Sequence, residues 1–280
     1  MKTAELVRQA LTEDLGSGDI TTEALIGKDQ TCAAVIRAKE NGVICGLEVA
    51  AEVFRQLESR VRLIAKVREG RQVKKGQVIA TLAGPARAIL TGERTALNFL
   101  QHLSGIATLT RKYKLKMKNE KLKIKVELLD TRKTIPGLRL LEKYAVKCGG
   151  GTNHRIGLYD AVLIKDNHIK LAGGVGGAIK NVKLKMKNEG KSIEIETKTL
   201  AEVKEAVELK VDRILLDNMD VKTLRQAVAI CKKAGIKTEA SGGVNLKTVA
   251  AIAKTGVDYI SVGALTHSAP ALDISLEILN

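Results

Sequence analysis

Tryptophan is absent from the 280 residues, and all aromatic residues together make up 2% of the chain. So little stacking surface argues against the aromatic platforms on which single-stranded nucleic-acid binders lay their bases. The formal charge of +16 would otherwise invite that reading. No apolar run reaches the roughly 18 residues of a membrane helix. The opening stretch "MKTAELVRQALTEDLG" is amphipathic and has no signal-peptide core. The expectation is a soluble, cytoplasmic protein whose partners are neither nucleic acid nor membrane. Cysteine is sparse: Cys32, Cys45, Cys148 and Cys231 are far apart and form no C-x-x-C pair, so neither a disulfide framework nor a zinc site is indicated.

Lysine is plentiful. Much of the positive excess lies in "RKYKLKMKNEKLKIK" (111–125) and "KNVKLKMKNEGK" (180–191), which read as lysine-rich helix ends suited to the negative pole of the helix dipole. The heptapeptide KLKMKNE occurs in both, at 114–120 and 183–189, but its flanks do not match. It is a shared composition and not a fold-level repeat.

An apolar content of 45% is enough to bury a full core. Residues 1–83 mix a helix near 3–14 and a helix near 47–58 with short β-like runs, "TCAAVIRA", "GVICG", "RLIAKV" and "QVIATLA", the pattern of a small α/β sandwich. From Pro85 the pattern turns helical, with a candidate break at Ser104-Gly105. After about residue 124, six apolar runs alternate with helical segments, which points to a parallel α/β barrel or part of one. The expected organisation is an N-terminal sandwich over 1–103, an open barrel over 104–270, and a last alternating segment, 271–280, returning to the first domain.

Each of the six runs ends in chemistry. The endings are Asp130-Thr131-Arg132-Lys133, Lys165-Asp166-Asn167-His168, Glu196, Asp217-Asn218, Ser241-Gly242-Gly243 and Gly263-Ala264. Active sites of (β/α) barrels assemble at such strand ends. Glycines after the last strands suit a phosphate held on backbone N–H groups, though each also suits an ordinary helix start. Arg132, Lys133, Arg139, His154, Arg155 and Lys165 form a cation set fit for a ligand with more than one anionic group. Glu196 and Asp217 either hold Mg²⁺ or sugar hydroxyls, or neutralise those cations. A metal reading of Cys148 with His154 fails for want of partners in the sequence, and His102 and His267 read as structural. His168 either orders Lys165 or caps the next helix.

Four blocks then add a resemblance: "GERTALNFLQHLSGIAT" (92–108), the forty residues from Asp130 to Ile169, "LLDN" (215–218) and "EASGGV" (239–244), joined by "EDLGSGDITT" (13–22). Together they resemble the quinolinate phosphoribosyltransferase family, the carboxylating nicotinate-nucleotide pyrophosphorylases of NAD biosynthesis. The resemblance implies an N-terminal α/β sandwich with an open, TIM-like α/β barrel. It also implies a homodimer, or a hexamer built as a trimer of dimers, with shared active sites. The substrates it implies are quinolinate and phosphoribosyl pyrophosphate, with Mg²⁺. On that pattern Arg94 comes from the neighbouring subunit to join Thr131, Arg132, Lys133, His154 and Arg155 around quinolinate. Lys165, Glu196 and Asp217 are the catalytic group, with Glu196 and Asp217 serving the metal directly or through water. Ser241, Gly242, Gly243, Gly263 and Ala264 hold the 5′-phosphate. "GGGTNHR" (149–155) would end a helix and aim His154 and Arg155 at a dicarboxylate. The acidic strand continues into Thr197 and Lys198, where relatives often carry further acid. Two rivals stand beside this reading: a phosphoribosyltransferase-like enzyme for another acid, such as the molybdenum-transport-associated homologues, and a basic nucleic-acid-binding protein.

Overall fold

Alternating and β-branched residues in "TCAAVIRA" build the strand on which the first sheet is centred. The structure, a computed structural model, describes residues 2–118, 126–186 and 190–279. Strand β1 (Thr31–Ala38) buries Ala34, Val35, Ile36 and Ala38. It pairs antiparallel on both sides, with β5 (Val78–Pro85) and with β12 (Ile274–Leu279). Strand β3 (Arg62–Ala65) completes the order β12-β1-β5-β3. "GVICG" yields only the two-residue β2 (Gly42–Val43), which pairs with β4 (Gln72–Val73), an element too short to leave a periodic signal.

Helix α1 (Thr3–Leu15) is followed by the short α2 (Ile20–Leu25), whose N-cap Asp19 accepts the Thr22 N–H at 2.9 Å. Helix α3 (Leu47–Leu57) turns Leu47, Ala50, Val53 and Phe54 to the core at helical spacing. Helix α4 (Ala86–Met117) starts just after Pro85 and runs unbroken through Ser104-Gly105. The pair serves close packing instead of a break. A Cβ on Gly105 would lie 2.1 Å from the Pro270 carbonyl oxygen, and the Ser104 hydroxyl donates to the Cys45 carbonyl at 3.1 Å. The first compact unit comprises Met1–Arg111, Thr134–Gly150 and Leu265–Asn280, and so includes α5 (Arg139–Cys148).

The second unit, Lys112–Lys133 and Gly151–Ala264, is a six-stranded parallel sheet. Its strands are β6 (Glu127–Leu129), β7 (Val162–Ile164), β8 (Ile193–Thr197), β9 (Arg213–Asp217), β10 (Lys237–Ser241) and β11 (Tyr259–Ser261). The order β6-β11-β10-β9-β8-β7 is cyclic apart from a gap between β6 and β7. An isolated parallel bridge, Leu129 to Thr152, lies beside β6 at that gap. This is an open α/β barrel. Helices α6 (Asp166–Leu171), α7 (Val175–Lys185), α8 (Leu200–Glu208), α9 (Val221–Lys233), α10 (Val249–Ala253) and α11 (Ala264–His267) follow the strands from β7 onward. Thr199 and Glu202 form a reciprocal capping box on α8, and Asp220 caps α9 through the Thr223 N–H at 2.7 Å. The lysine-rich ends fall at the C-termini of α4 and α7, and residues 119–125 and 187–189 lie outside the described residues.

Candidate active site

Short strands place each reactive side chain by ending just before it. At the end of β8, Glu196 is half-buried; burial raises its pKa first, then the charges of Asp217 and Asp166, against the opposing pull of Lys165 and Lys198. Two carboxylates that repel one another thus share one strand-end region with two lysines. Lys198 Nζ pairs with Asp166 Oδ2 at 3.0 Å. Lys165 precedes α6, and its N–H donates to His168 Nδ1 at 3.0 Å. His168 therefore caps the helix and in doing so holds the main chain of Lys165.

Asp217 accepts from Asn218 Nδ2 at 2.9 Å, and the Asn218 N–H donates to the Ser241 carbonyl at 2.9 Å. The ends of β9 and β10 are locked together by this asparagine, whose own φ is +55°. Gly242 and Gly243 follow at φ +85° and +61°, and a Cβ on Gly242 would meet Asn218 Oδ1 at 2.3 Å. Only glycine suits that position. Gly263 and Ala264 follow β11, with Ala264 opening α11.

The cations gather after β6 and before β7. The Lys133 N–H donates to Thr131 Oγ1 at 3.0 Å, and Arg155 Nη1 donates to the Ala161 carbonyl at 3.0 Å. Burial lowers the Arg155 pKa, and the neighbouring charge of Arg132 lowers it further. The two guanidinium charges thus lie within reach of one another's field. Asp160 fixes the turn between Arg155 and Ala161 by accepting the Ile156 and Gly157 N–H groups at 2.7 and 2.9 Å.

His154 faces inward. Its N–H donates to the fully buried Asp130 at 2.8 Å, and its Nε2 lies 3.2 Å from Glu194 Oε2 and 3.4 Å from Glu239 Oε2. Arg213 reaches Glu239 at 3.0 Å and Glu194 at 3.8 Å, with its guanidinium over the Tyr259 ring at 4.1 Å. Burial disfavours the charged imidazole, but the two carboxylates prevail and raise its pKa to about 9. The Arg155 N–H donates to Nδ1 at 2.7 Å and favours the neutral ring. One neutral hydrogen bond, worth about 1 kcal/mol, does not match two anions at that range.

The second unit holds Thr131, Arg132, Lys133, His154, Arg155, Lys165, Glu196, Asp217, Ser241, Gly242, Gly243, Gly263 and Ala264. Arg94, exposed on α4, and Arg139, whose Nε donates to Thr134 Oγ1 at 3.0 Å, belong to the first. His102 is structural: its Nε2 lies 2.9 Å from Glu142 Oε1, and Glu142 Oε2 accepts the Ile135 N–H at 3.2 Å.

Sequence reasoning passed over Glu194, Arg213 and Glu239. Their signal was period 2: Glu194 shares a strand face with Glu196, Arg213 with Asp217, and Glu239 with Ser241. A charge inside an apolar strand, two or four residues before a strand-end functional residue, lines the same interior.

Hard carboxylate oxygens at Glu196 and Asp217 fit Mg²⁺, which is commonly held by one or two carboxylates while substrate phosphates and water complete its octahedron. The inward trio His154, Glu194 and Glu239 also brings ligand atoms within 4.8 Å of one another, but Arg213 already supplies its cation. Among the described residues, no helix is long and apolar enough to cross a membrane.

Comparison with known proteins places this geometry among relatives along nearly the full chain. The model for the quinolinate phosphoribosyl transferase N-terminal domain matches residues 19–104, and that for the C-terminal domain matches residues 106–277. A probable nicotinate-nucleotide pyrophosphorylase (carboxylating) of Bacillus subtilis strain 168 is 44% identical over 274 residues, 98% of this chain and 92% of that protein. A chloroplastic nicotinate-nucleotide pyrophosphorylase (carboxylating) of Arabidopsis thaliana is 44% identical over 291 residues, 98% of this chain and 82% of that protein. The solved nicotinate-nucleotide pyrophosphorylase of Francisella tularensis superposes with a TM-score of 0.92 at 42% identity, covering 99% of this chain and 96% of that one.

Proposed function

The chain belongs to the quinolinate phosphoribosyltransferase family, and from that premise we infer how its residues work. It is a decarboxylating phosphoribosyltransferase of NAD biosynthesis: it joins quinolinate to phosphoribosyl pyrophosphate and yields nicotinate mononucleotide, CO₂ and pyrophosphate.

The observation that carries the residue assignment is the pair Arg132 and Arg155, two guanidinium groups close enough that one depresses the other's pKa. A dicarboxylate relieves that repulsion. Arg132, Arg155, Lys133 and Thr131 grip quinolinate, and His154, kept positive by Glu194 and Glu239, adds a fixed charge. Glu196 and Asp217 hold the ribose hydroxyls and Mg²⁺, which when bound screens the pyrophosphate and makes it a better leaving group. Lys165 neutralises the charge that develops on the departing pyrophosphate. The pyridine nitrogen attacks C1 of the ribose, and the acids steady the positive character of the ring. Ser241, Gly242, Gly243, Gly263 and Ala264 receive the 5′-phosphate on backbone donors. Once ribosylated, the positive ring nitrogen stabilises the carbanion left at C2 when the adjacent carboxylate departs as CO₂, and a proton from solvent then takes that carboxylate's place. Arginine keeps hold of the other carboxylate throughout.

Arg94 completes the pocket of a neighbouring subunit in a homodimer, or in a hexamer of three dimers, and the enzyme works in the cytoplasm. The assay that tests this reading supplies quinolinate or nicotinate with phosphoribosyl pyrophosphate and Mg²⁺ and follows CO₂ and nicotinate mononucleotide. Turnover of quinolinate alone is expected. Equal turnover of nicotinate would overturn the dicarboxylate pocket.

A further inference from the structure

Two cysteines far apart in sequence meet in the first unit. The Sγ atoms of Cys45 and Cys148 and a carboxylate oxygen of Glu69 all lie within 4.8 Å of one another, with Cys148 Sγ 4.0 Å from Glu69 Oε2. Zn²⁺, with bonds of about 2.3 Å to sulfur and about 2.0 Å to oxygen, holds such atoms roughly 3.5–3.8 Å apart, a small contraction from this spacing.

Each ligand is held by its surroundings. The Cys45 N–H donates to Ser104 Oγ at 3.0 Å, and the serine hydroxyl donates back to the Cys45 carbonyl at 3.1 Å. Glu69 accepts the Gly46 N–H at 3.0 Å and the Leu47 N–H at 2.7 Å, where α3 begins. Gly70, at φ +76°, donates to the Ile44 carbonyl at 2.8 Å, and a Cβ there would lie 3.0 Å from the Cys148 carbonyl oxygen. The Cys45 and Glu69 segments are thus tied to one another, with the Cys148 backbone packed close to Gly70, before any ion arrives. Neighbouring Cys45 and, against burial, Tyr144 draw the Cys148 thiol below its ordinary range, while Cys148, burial and Glu69 push the Cys45 thiol up.

We propose that Cys45, Glu69 and Cys148 form a site for Zn²⁺, closed by water as the fourth ligand and separate from the acids at Glu196 and Asp217. Two thiolates and a carboxylate are a zinc donor set, and sulfur selects against Mg²⁺. Binding replaces the two thiol protons, which pass to solvent as the two Zn–S bonds form. Cys45 is fully buried and Cys148 is not, so the ion enters past Cys148.

The test uses the full-length chain, reduced and stripped with a chelator. It is titrated with Zn²⁺ against a chromophoric competitor, and separately with Co²⁺ to read the thiolate-to-cobalt charge-transfer band. One ion per chain, the band, and loss of affinity by roughly 100-fold or more in Cys148→Ser and Glu69→Gln are expected, with Cys231→Ser binding as the parent does. Unchanged uptake in Cys148→Ser, or no charge-transfer band, would overturn the site. So would a Cys45–Cys148 disulfide formed in air by a protein that takes up no Zn²⁺ when reduced. Should the variants fail to fold, alkylation of the parent decides: Zn²⁺ is expected to shield Cys148 from iodoacetamide, and equal labelling with and without the ion contradicts the proposal.

Discussion

Arg132 and Arg155 feel one another's charge, and the turn fixed by Asp160 holds Arg155 by placing the Ala161 carbonyl where its guanidinium donates. Replacing Arg132 by Ala is expected to raise the KM for quinolinate by roughly 100-fold, about 3 kcal/mol for a charge-assisted contact, and to leave that for phosphoribosyl pyrophosphate nearly unchanged. Steady-state kinetics with each substrate varied in turn reads the difference, and equal changes would remove Arg132 from the acid pocket. His154 gives a pH dependence with a definite sign. Its pKa rises from 6.5 to about 9 in the folded chain, so its contribution to stability is whole below 6.5 and fades as the pH climbs through about 9. Quinolinate affinity should fall over the same window, and a KM for quinolinate flat from pH 7 to about 9.5 would place the charge elsewhere. The strand-end acids and the cations were legible because sequence runs stop where chemistry starts. Glu194, Arg213 and Glu239 were not, since an interior charge on a short strand becomes intelligible only once the opposing strands are known.

Strands β8, β9 and β10 reach their ends in step: Asp217 sits opposite Ser241, and Thr197 opposite Leu216. That register puts Glu196 and Asp217 on one rim, and Asn218 fastens it. Gly242→Ala is expected to cost on the order of 2 kcal/mol or more, because φ +85° is left-handed and the new Cβ meets Asn218 Oδ1. Denaturant unfolding measures the loss. A KM for phosphoribosyl pyrophosphate raised well beyond that for quinolinate would locate the effect at the phosphate loops. The six parallel strands, and β1 as a strand, could be read from periodicity and flanking glycines, while the central antiparallel place of β1 could not, since pairing leaves no local mark. Two further details could not be read: β4 is two residues long, and Ser104-Gly105 mimics a helix break while serving tight packing inside α4.

Arg94 is exposed on α4 and, by our reading, works in a neighbour's pocket. Mixing Arg94→Ala with Glu196→Gln protein, with subunit exchange verified, should restore about a quarter of parental activity in randomly paired dimers, since each hybrid keeps one intact site. No recovery would mean that Arg94 serves its own chain. The four-stranded sheet has a further consequence, one of timing. Strand β1 takes β12 as a neighbour, pairing Ala33 with Leu279, so the flank of an early strand waits for one made some 240 residues later. While a ribosome is still extending the chain, that flank is a row of unsatisfied amide and carbonyl groups, open to the same flank on a nascent neighbour. The chain is therefore exposed to aggregation until Ile274–Leu279 has been made, and a premature stop ahead of Ile274 would make that hazard permanent.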